Sequence, residues 1–259
     1  LASLVEALGV WTGHRVFRID LEGHGREEGV VGDVDVSRTV GWFTTMFPVV
    51  LERQARGIGA TLIDVKERLR AVPDRGIGYG VLHAMAGLAD LAPATATALS
   101  FNYLGQLGAA SEPPLAFELV SAAAGKTASD ESPRRHTLTV NAMVVDGELR
   151  VHWTYGRKQY RRATVEALAD GLVSALRGVI DHCMAEEAGG FTPSDFELAR
   201  LGQSDLDALV LRLDLAGGAS LEDIYPLSPM QESLSFHAIY APGSSAYASA
   251  YYEQTCLTL

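Results

Sequence analysis

The sequence predicts an α/β protein of the mixed α+β kind. Three observations carry that expectation. Several short runs alternate apolar and polar residues with the period of two expected of strands. Other segments repeat apolar residues at helical spacing, most clearly residues 58–72 and 165–184. Asp146-Gly147 stands between two alternating runs, the strongest short hairpin signal in the chain. The regular strand–helix alternation of a doubly wound parallel sheet is absent. At 259 residues with 47% hydrophobic content, the chain can bury a sizeable core as one large domain or one domain plus an appendage.

Taken in order, residues 1–9 read as the end of a helix, with Leu4, Val5 and Leu8 on its apolar side. A chain that starts inside an element is expected to be a fragment of something longer. The run Arg15-Val16-Phe17-Arg18-Ile19-Asp20 then reads as a strand, broken by Gly23 and Gly25, which let the backbone turn sharply or another group come close. Residues 34–50, rich in β-branched and aromatic side chains, are expected to form a loop and one buried strand, with Trp42 packing rather than touching a ligand. In residues 58–72, Leu62, Val65 and Leu69 share a helix face, and Pro73 stops the helix. A glycine-rich turn over residues 73–80 leads into a short helix through Leu82 and Met85. Residues 97–104 read as a strand, and residues 117–120 as another. Residues 137–145 and 148–155 flank the Asp146-Gly147 turn. Thr164 is the expected cap of a long helix over 165–184 that buries Leu168, Leu172, Leu176 and Ile180.

Charge marks a change of segment near residue 186. The formal net charge is −11; eleven acidic residues against two arginines lie beyond residue 185, so the acidity belongs to the tail. Residues 186–220 read as a Gly- and Asp-rich linker with a short helix near 205–213. Residues 221–237 begin a new apolar-aromatic segment, and the chain closes on a strand-like run over 247–259. The acidic balance argues against nucleic acid as a partner. No apolar run reaches the length of a membrane-spanning helix and no signal peptide opens the chain, so a soluble, cytoplasmic protein is expected. Cys183 and Cys256 fit no metal-ligand spacing and read as small buried apolar side chains.

The chemistry-bearing residues are few. No nucleotide-binding glycine loop, nucleophile elbow or paired-histidine motif is present, and neither a bound cofactor nor a metal is expected. Glu22, His24 and Arg26 stand together on one loop at the end of the first strand, and Asn102 with Tyr103 at the end of another. A partly desolvated carboxylate can exchange a proton with a carbon acid. An amide or phenol can donate to the oxygen that gains charge as the proton leaves. The set suits proton abstraction next to a carbonyl. The bland alternative is a polar turn in which Arg26 pairs with Glu22 or Glu27. The basic run Arg157-Lys158-Gln159-Tyr160-Arg161-Arg162 reads as a solvated turn, or as a surface for an acidic partner.

Four stretches carry a resemblance in order: Glu22-Gly23-His24-Gly25-Arg26-Glu27, Arg38-Thr39-Val40-Gly41-Trp42-Phe43-Thr44, Pro73-x-x-Gly76-x-Gly78-Tyr79-Gly80 and Phe101-Asn102-Tyr103-Leu104-Gly105-Gln106. Over about 85 residues they resemble the motifs of epimerization domains of nonribosomal peptide synthetases, members of the condensation-domain superfamily. The resemblance implies a chloramphenicol-acetyltransferase-like architecture of two lobes around a tunnel, with residues 1–185 as the C-terminal lobe. The N-terminal lobe would supply a His-His-x-x-x-Asp-Gly motif, which this chain lacks: His14, His24, His83, His136, His152, His182 and His237 are all isolated. Asp223-Ile224-Tyr225-Pro226-Leu227-Ser228-Pro229-Met230-Gln231-Glu232 resembles the opening of a following condensation domain, which residues 221–259 would begin; Ser233 and Ser235 depart from that pattern.

The implied reaction inverts Cα of an aminoacyl or peptidyl thioester carried on the phosphopantetheine of a peptidyl carrier protein. The adjacent synthetase domains and the absent lobe would be the other partners, and the piece alone would be inactive. By resemblance Glu22 is an acid/base group, Arg26 orients it or serves a structural ion pair, and Asn102 and Tyr103 lie near the thioester. His24 and Trp42 are the candidate substrate contacts. The rivals are a condensation domain that forms peptide bonds and a catalytically silent lobe that recruits a carrier.

Overall fold

The computed structural model describes residues 1–27, 30, 32, 34–85, 97–107, 129, 132–185, 190–213 and 221–240. The chain divides into two compact units, Leu1–Gly189 and Gly190–Leu259. The expected strands over 117–120 and 247–259, and Cys256, lie outside the described residues.

The first unit is built on a five-stranded sheet. Its strands are β1 (Val16–Gly23), β2 (Thr45–Glu52), β3 (Leu99–Leu107), β4 (Leu138–Val145) and β5 (Glu148–Tyr155), in the order β2-β1-β3-β4-β5. The three central strands run parallel, and β2 and β5 close the edges antiparallel. The sheet is therefore mixed, as the irregular order of strand and helix signals requires. Asp146 and Gly147 make the β4–β5 turn with φ of 52° and 80°. Positive φ at both central residues gives a turn whose twist matches that of the strands it joins.

Strand pleating sorts the side chains. Phe17, Ile19 and Leu21 of β1, Phe47, Val49 and Leu51 of β2, Leu99 and Phe101 of β3, and Leu138, Val140 and Ala142 of β4 face one side, with Val151, Trp153 and Tyr155 of β5. Against them lie α1 (Ala2–Thr12), α2 (Ile58–Arg70) and α4 (Arg162–Met184), with Leu4, Val5, Val65, Leu168 and Leu172 in the shared core. A short helix, α3 (Ile77–Met85), packs near β2. The opposite face is polar over its centre: Arg18, Asp20 and Glu22, then Ser100 and Asn102, then Thr139 and Asn141, then His152 and Thr154, while the edge strand β2 brings Met46, Pro48 and Val50 to it.

Helix α1 is buried over Ala2–Gly9, packs on both α2 and α4, and ends on Gly13. Such a helix has to satisfy its one charged residue internally. Glu6 does so with both oxygens: Arg53 Nε donates to one at 2.6 Å and the fully buried Thr61 hydroxyl to the other at 2.7 Å. Thr61 Oγ1 also accepts the backbone N–H of Gln54 at 3.0 Å, so one node ties α1 to the end of β2 and to α2.

One sequence expectation holds and three change. The run over residues 34–50 is a loop and one strand, as expected, the strand beginning at Thr45; residues 34–44 form an exposed loop, with no neighbouring strand to pair with them. The long helix begins at Arg162, and its N-cap is Arg161, whose extended backbone carbonyl accepts the N–H groups of Thr164 and Val165; Thr164 lies inside the first turn. Ile180 is about half exposed, while Leu168 and Leu172 are buried as expected. Cys183 is exposed, near the end of the same helix.

In the second unit, Thr192 and Asp195 form a reciprocal cap on a short turn at Pro193–Asp195, with Thr192 N–H donating to Asp195 Oδ2 at 2.9 Å. Two helices follow, α5 (Gln203–Arg212), where the short helix was expected, and α6 (Pro229–Tyr240).

Thr61→Val keeps the shape of the buried node but leaves Glu6 Oε1 and the Gln54 N–H without this partner, while Arg53 still holds Oε2. A loss of about 1–3 kcal/mol is expected in urea unfolding. A change within about 0.5 kcal/mol, the scatter of ordinary surface substitutions, would show that the node is not stabilising.

Candidate active site

The polar face of the sheet ends at Glu22. The sequence break at Gly23 suggested a loop residue, but β1 continues through Gly23, and Glu22 pairs in register with Met46 of β2. Its direction is thus set by the pleat. Asn102, on the same face of β3, donates from Nδ2 to Glu22 Oε2 at 2.7 Å. Among the described residues Oε1 has no partner, and the side chain is half-buried. One carboxylate oxygen is oriented and the other is available.

Tyr103 does not join them. As the next residue on β3 it faces the other side, is 55% exposed, and lines an apolar cleft of about 1080 Å³ between the sheet and helices α1, α2 and α4, beside Phe101, Val151 and Trp153. Two consecutive strand residues cannot both face Glu22. The resemblance puts both Asn102 and Tyr103 near the thioester; of the two, the pleat leaves Asn102 alone on the face of Glu22.

Arg26 pairs with neither Glu22 nor Glu27. Its guanidinium donates to the backbone carbonyls of Val36, of Thr39 at 2.9 Å and of Gly41 at 3.4 Å, and lies over the Phe43 ring, 4.3 Å from its centroid. The planar fork matches several acceptors at once, and these carbonyls have no strand ladder to satisfy them. Arg26 therefore folds the loop before β2. Gly25 makes that approach possible: at φ 69°, a Cβ there would lie 1.7 Å from the Phe43 carbonyl oxygen.

His24 Nδ1 accepts the backbone N–H of Arg26 at 3.0 Å, and Nε2 faces Glu27 at 3.3 Å. The first bond leaves Nδ1 without a proton and puts the ring proton on Nε2. Glu27 also receives Arg75 at 3.0 Å. His24 shapes the turn, and its side chain is 63% exposed. Trp42 does not pack a strand; it is 91% exposed at the crest of the loop held by Arg26, next to the fully exposed Val40. The basic run at 157–162 makes an exposed turn leading into α4, where Arg162 pairs with Glu166 at 2.7 Å.

One contact of the polar face had no local sequence signal. Asp20 and His136, 116 residues apart, are both buried and meet at 2.8 Å between Oδ2 and Nε2. Strand alternation places Asp20 on the face of Glu22, but nothing near His136 announces its partner. Among the described residues no group of three metal-ligating side chains converges, and no helix is long and apolar enough to cross a membrane.

Comparison with known proteins gives the family. The family model described as Condensation domain matches residues 1–201. The chain is 42% identical to a chondramide synthase of Chondromyces crocatus over 241 residues, covering 93% of this chain and 6% of that protein. It is 38% identical to bacitracin synthase 3 of Bacillus licheniformis over 250 residues, covering 95% of this chain and 4% of that protein. It thus spans less than a tenth of either relative. Among solved structures, the epimerization domain from the third module of tyrocidine synthetase B superposes with a TM-score of 0.63 at 38% identity, over 71% of this chain and 41% of that one. A condensation domain of the enacyloxin polyketide synthase shares the fold, with a TM-score of 0.50 at 14% identity, over 73% of this chain and 36% of that one.

Arg26→Lys keeps the charge but loses the planar fork. Cleavage within residues 36–43 in limited proteolysis is expected to speed up about tenfold, while the urea midpoint falls by less than about 1 kcal/mol equivalent, as befits a surface loop. Unchanged cleavage would show that the fork does not hold the loop. The five-stranded mixed sheet, its helical layer and the match over residues 1–201 together establish that this chain belongs to the condensation-domain family.

Proposed function

We infer that residues 1–185 are the C-terminal lobe of an epimerization domain of a nonribosomal peptide synthetase, with residues 186–220 as a linker and residues 221–259 as the start of a following condensation domain. The observation that carries the reading is the Glu22–Asn102 contact: a half-buried carboxylate with one oxygen held at 2.7 Å and the other open on the polar face of the sheet. The likeness to an epimerization domain at 38% identity supports it.

The substrate is an aminoacyl or peptidyl thioester on the phosphopantetheine arm of a peptidyl carrier protein, and no cofactor is bound by the domain itself. Glu22 Oε1 takes the Cα proton, and the electron pair moves toward the thioester carbonyl. A second group, from the upstream lobe with its His-His-x-x-x-Asp-Gly motif, returns a proton to the opposite face. In the reverse direction the two groups exchange roles. Asn102 keeps Oε2 in place, and the second N–H on Nδ2 is free to face the developing oxyanion. Tyr103, on the other face, takes no part in the proton transfer. Arg26 acts on the loop, which presents Trp42; Trp42 and His24 flank the path by which substrate reaches Glu22. Adjacent synthetase domains deliver and receive the carrier.

The rival reading is peptide-bond formation, which the family model equally allows. In the intact synthetase, carrier loaded with an L-aminoacyl thioester in D₂O is expected to gain deuterium at Cα and to yield the D product. Glu22→Gln is expected to slow exchange at least about 100-fold, the usual scale of a lost acid/base group, with carrier binding retained. Exchange at the normal rate in that variant would remove Glu22 from the chemistry. Absence of exchange in the unaltered protein, with peptide bond formation intact, would decide for condensation.

A further inference from the structure

The proposed proton transfer makes no use of the buried Asp20–His136 pair, yet the pair lies directly behind Glu22. Asp20 precedes Glu22 by two residues on the same face of β1, so about 7 Å separates their Cα atoms. Asp20 is 8% exposed and His136 7%. His136 belongs to the segment entering β4, and its ring reaches past β3 to Asp20 on β1. The other charged groups on this part of the face are engaged elsewhere: Arg18 Nε donates to Thr97 Oγ1 at 3.0 Å, and Glu22 accepts from Asn102. From β3 and β4 the intervening side chains are neutral, Ser100 and Thr139, bonded to each other at 3.1 Å.

The location explains why a polar pair is buried here. β1 meets β3 through only two register pairs, Asp20 with Ser100 and Leu21 with Phe101. The apolar side of the seam fixes which face each strand turns inward. Two paired residues, however, give it few directional bonds of its own, and the fine position of Glu22 relative to Asn102 depends on that seam. A buried pair adds little net stability over apolar packing, but its directional contact can select one arrangement. We propose that Asp20 and His136 are a positioning pair, which holds β1 in register against β3 and so aims Glu22 Oε2 at Asn102 Nδ2. The geometric effect stands independently of the reaction; only its kinetic consequence rests on the reading of Glu22 as an acid/base group.

Two measurements test it. In the 259-residue chain, the side-chain amide NMR signals of Asn102 report the contact, with Glu22→Ala as the reference for its loss. Asp20→Ala and His136→Ala are each expected to move those signals at least halfway to that reference. The double variant should go no further than either single, since the two act as a unit, and His136→Gln, which keeps a donor within reach, should restore most of the original position. Where His136→Ala loses its cooperative melt, His136→Asn, too short to reach Asp20, carries the test. In the intact synthetase, His136→Ala is expected to lower kcat for Cα exchange about tenfold with KM for loaded carrier unchanged within about twofold. Asn102 signals unmoved in Asp20→Ala, or a raised KM with unchanged kcat, would overturn the inference. Signals that move in a protein whose unaltered form exchanges no Cα proton would leave the positioning pair standing and overturn the epimerase reading alone.

Discussion

The structure depends on the seam between β1 and β3. On one side of it lies the antiparallel β1–β2 pair, matched over eight residues of each strand; on the other lies the block of β3, β4 and β5. The seam has only two register pairs. Its apolar side is sealed by Ile19, Leu21, Leu99 and Phe101, with α1 behind them, which contributes on the order of 1.5–3 kcal/mol for each fully buried large side chain. That force is strong but non-directional. On the polar side the contacts are directional, Asp20 to His136 and Glu22 to Asn102. The apolar layer keeps the two halves together, and the polar contacts determine how they are aligned.

The helical layer uses the same division of labour. The core around Leu4, Val5, Val65, Leu168 and Leu172 holds α1 in place, while the Glu6 node connects it to β2 and α2 through bonds of 2.6 and 2.7 Å. The loop over residues 34–44 lacks a core of its own; the Arg26 guanidinium, lying over the Phe43 ring, gathers its carbonyls, and local bonds from Ser37 N–H to Asp35 and from Thr39 N–H to Val36 add to its order. A loop held by such polar contacts can present apolar residues outward, as Val40 and Trp42 show. A packed strand would have hidden both.

Much of the site was legible because its parts are local. Glu22, Gly25 and Arg26 are near neighbours, and their residue types pointed to a strand end with chemistry. Their roles were less legible, because role depends on direction. Glu22 lies on the strand and not in the turn, so the pleat aims it. Arg26 turns away toward carbonyls ten to fifteen residues on, which no pattern of charges foretells. Asn102 and Tyr103 looked like a unit in sequence, yet a strand sends adjacent side chains to opposite faces. Thr164 resembled a helix cap by type, but Arg161 and Arg162 already have the backbone conformation that begins the helix.

The sequence by itself determined the mixed class, the Asp146-Gly147 hairpin, the long amphipathic helix and the family, since each is written in local periodicity or in short ordered motifs. Tertiary structure decided the rest. Sequence spacing shows no link between Asp20 and His136 or between Glu6 and Thr61, because pairs 116 and 55 residues apart meet only when the sheet and helices have assembled. The same holds for the edges: residues 34–44 have strand-forming side chains but no strand beside them, and a strand exists only where its backbone groups find partners.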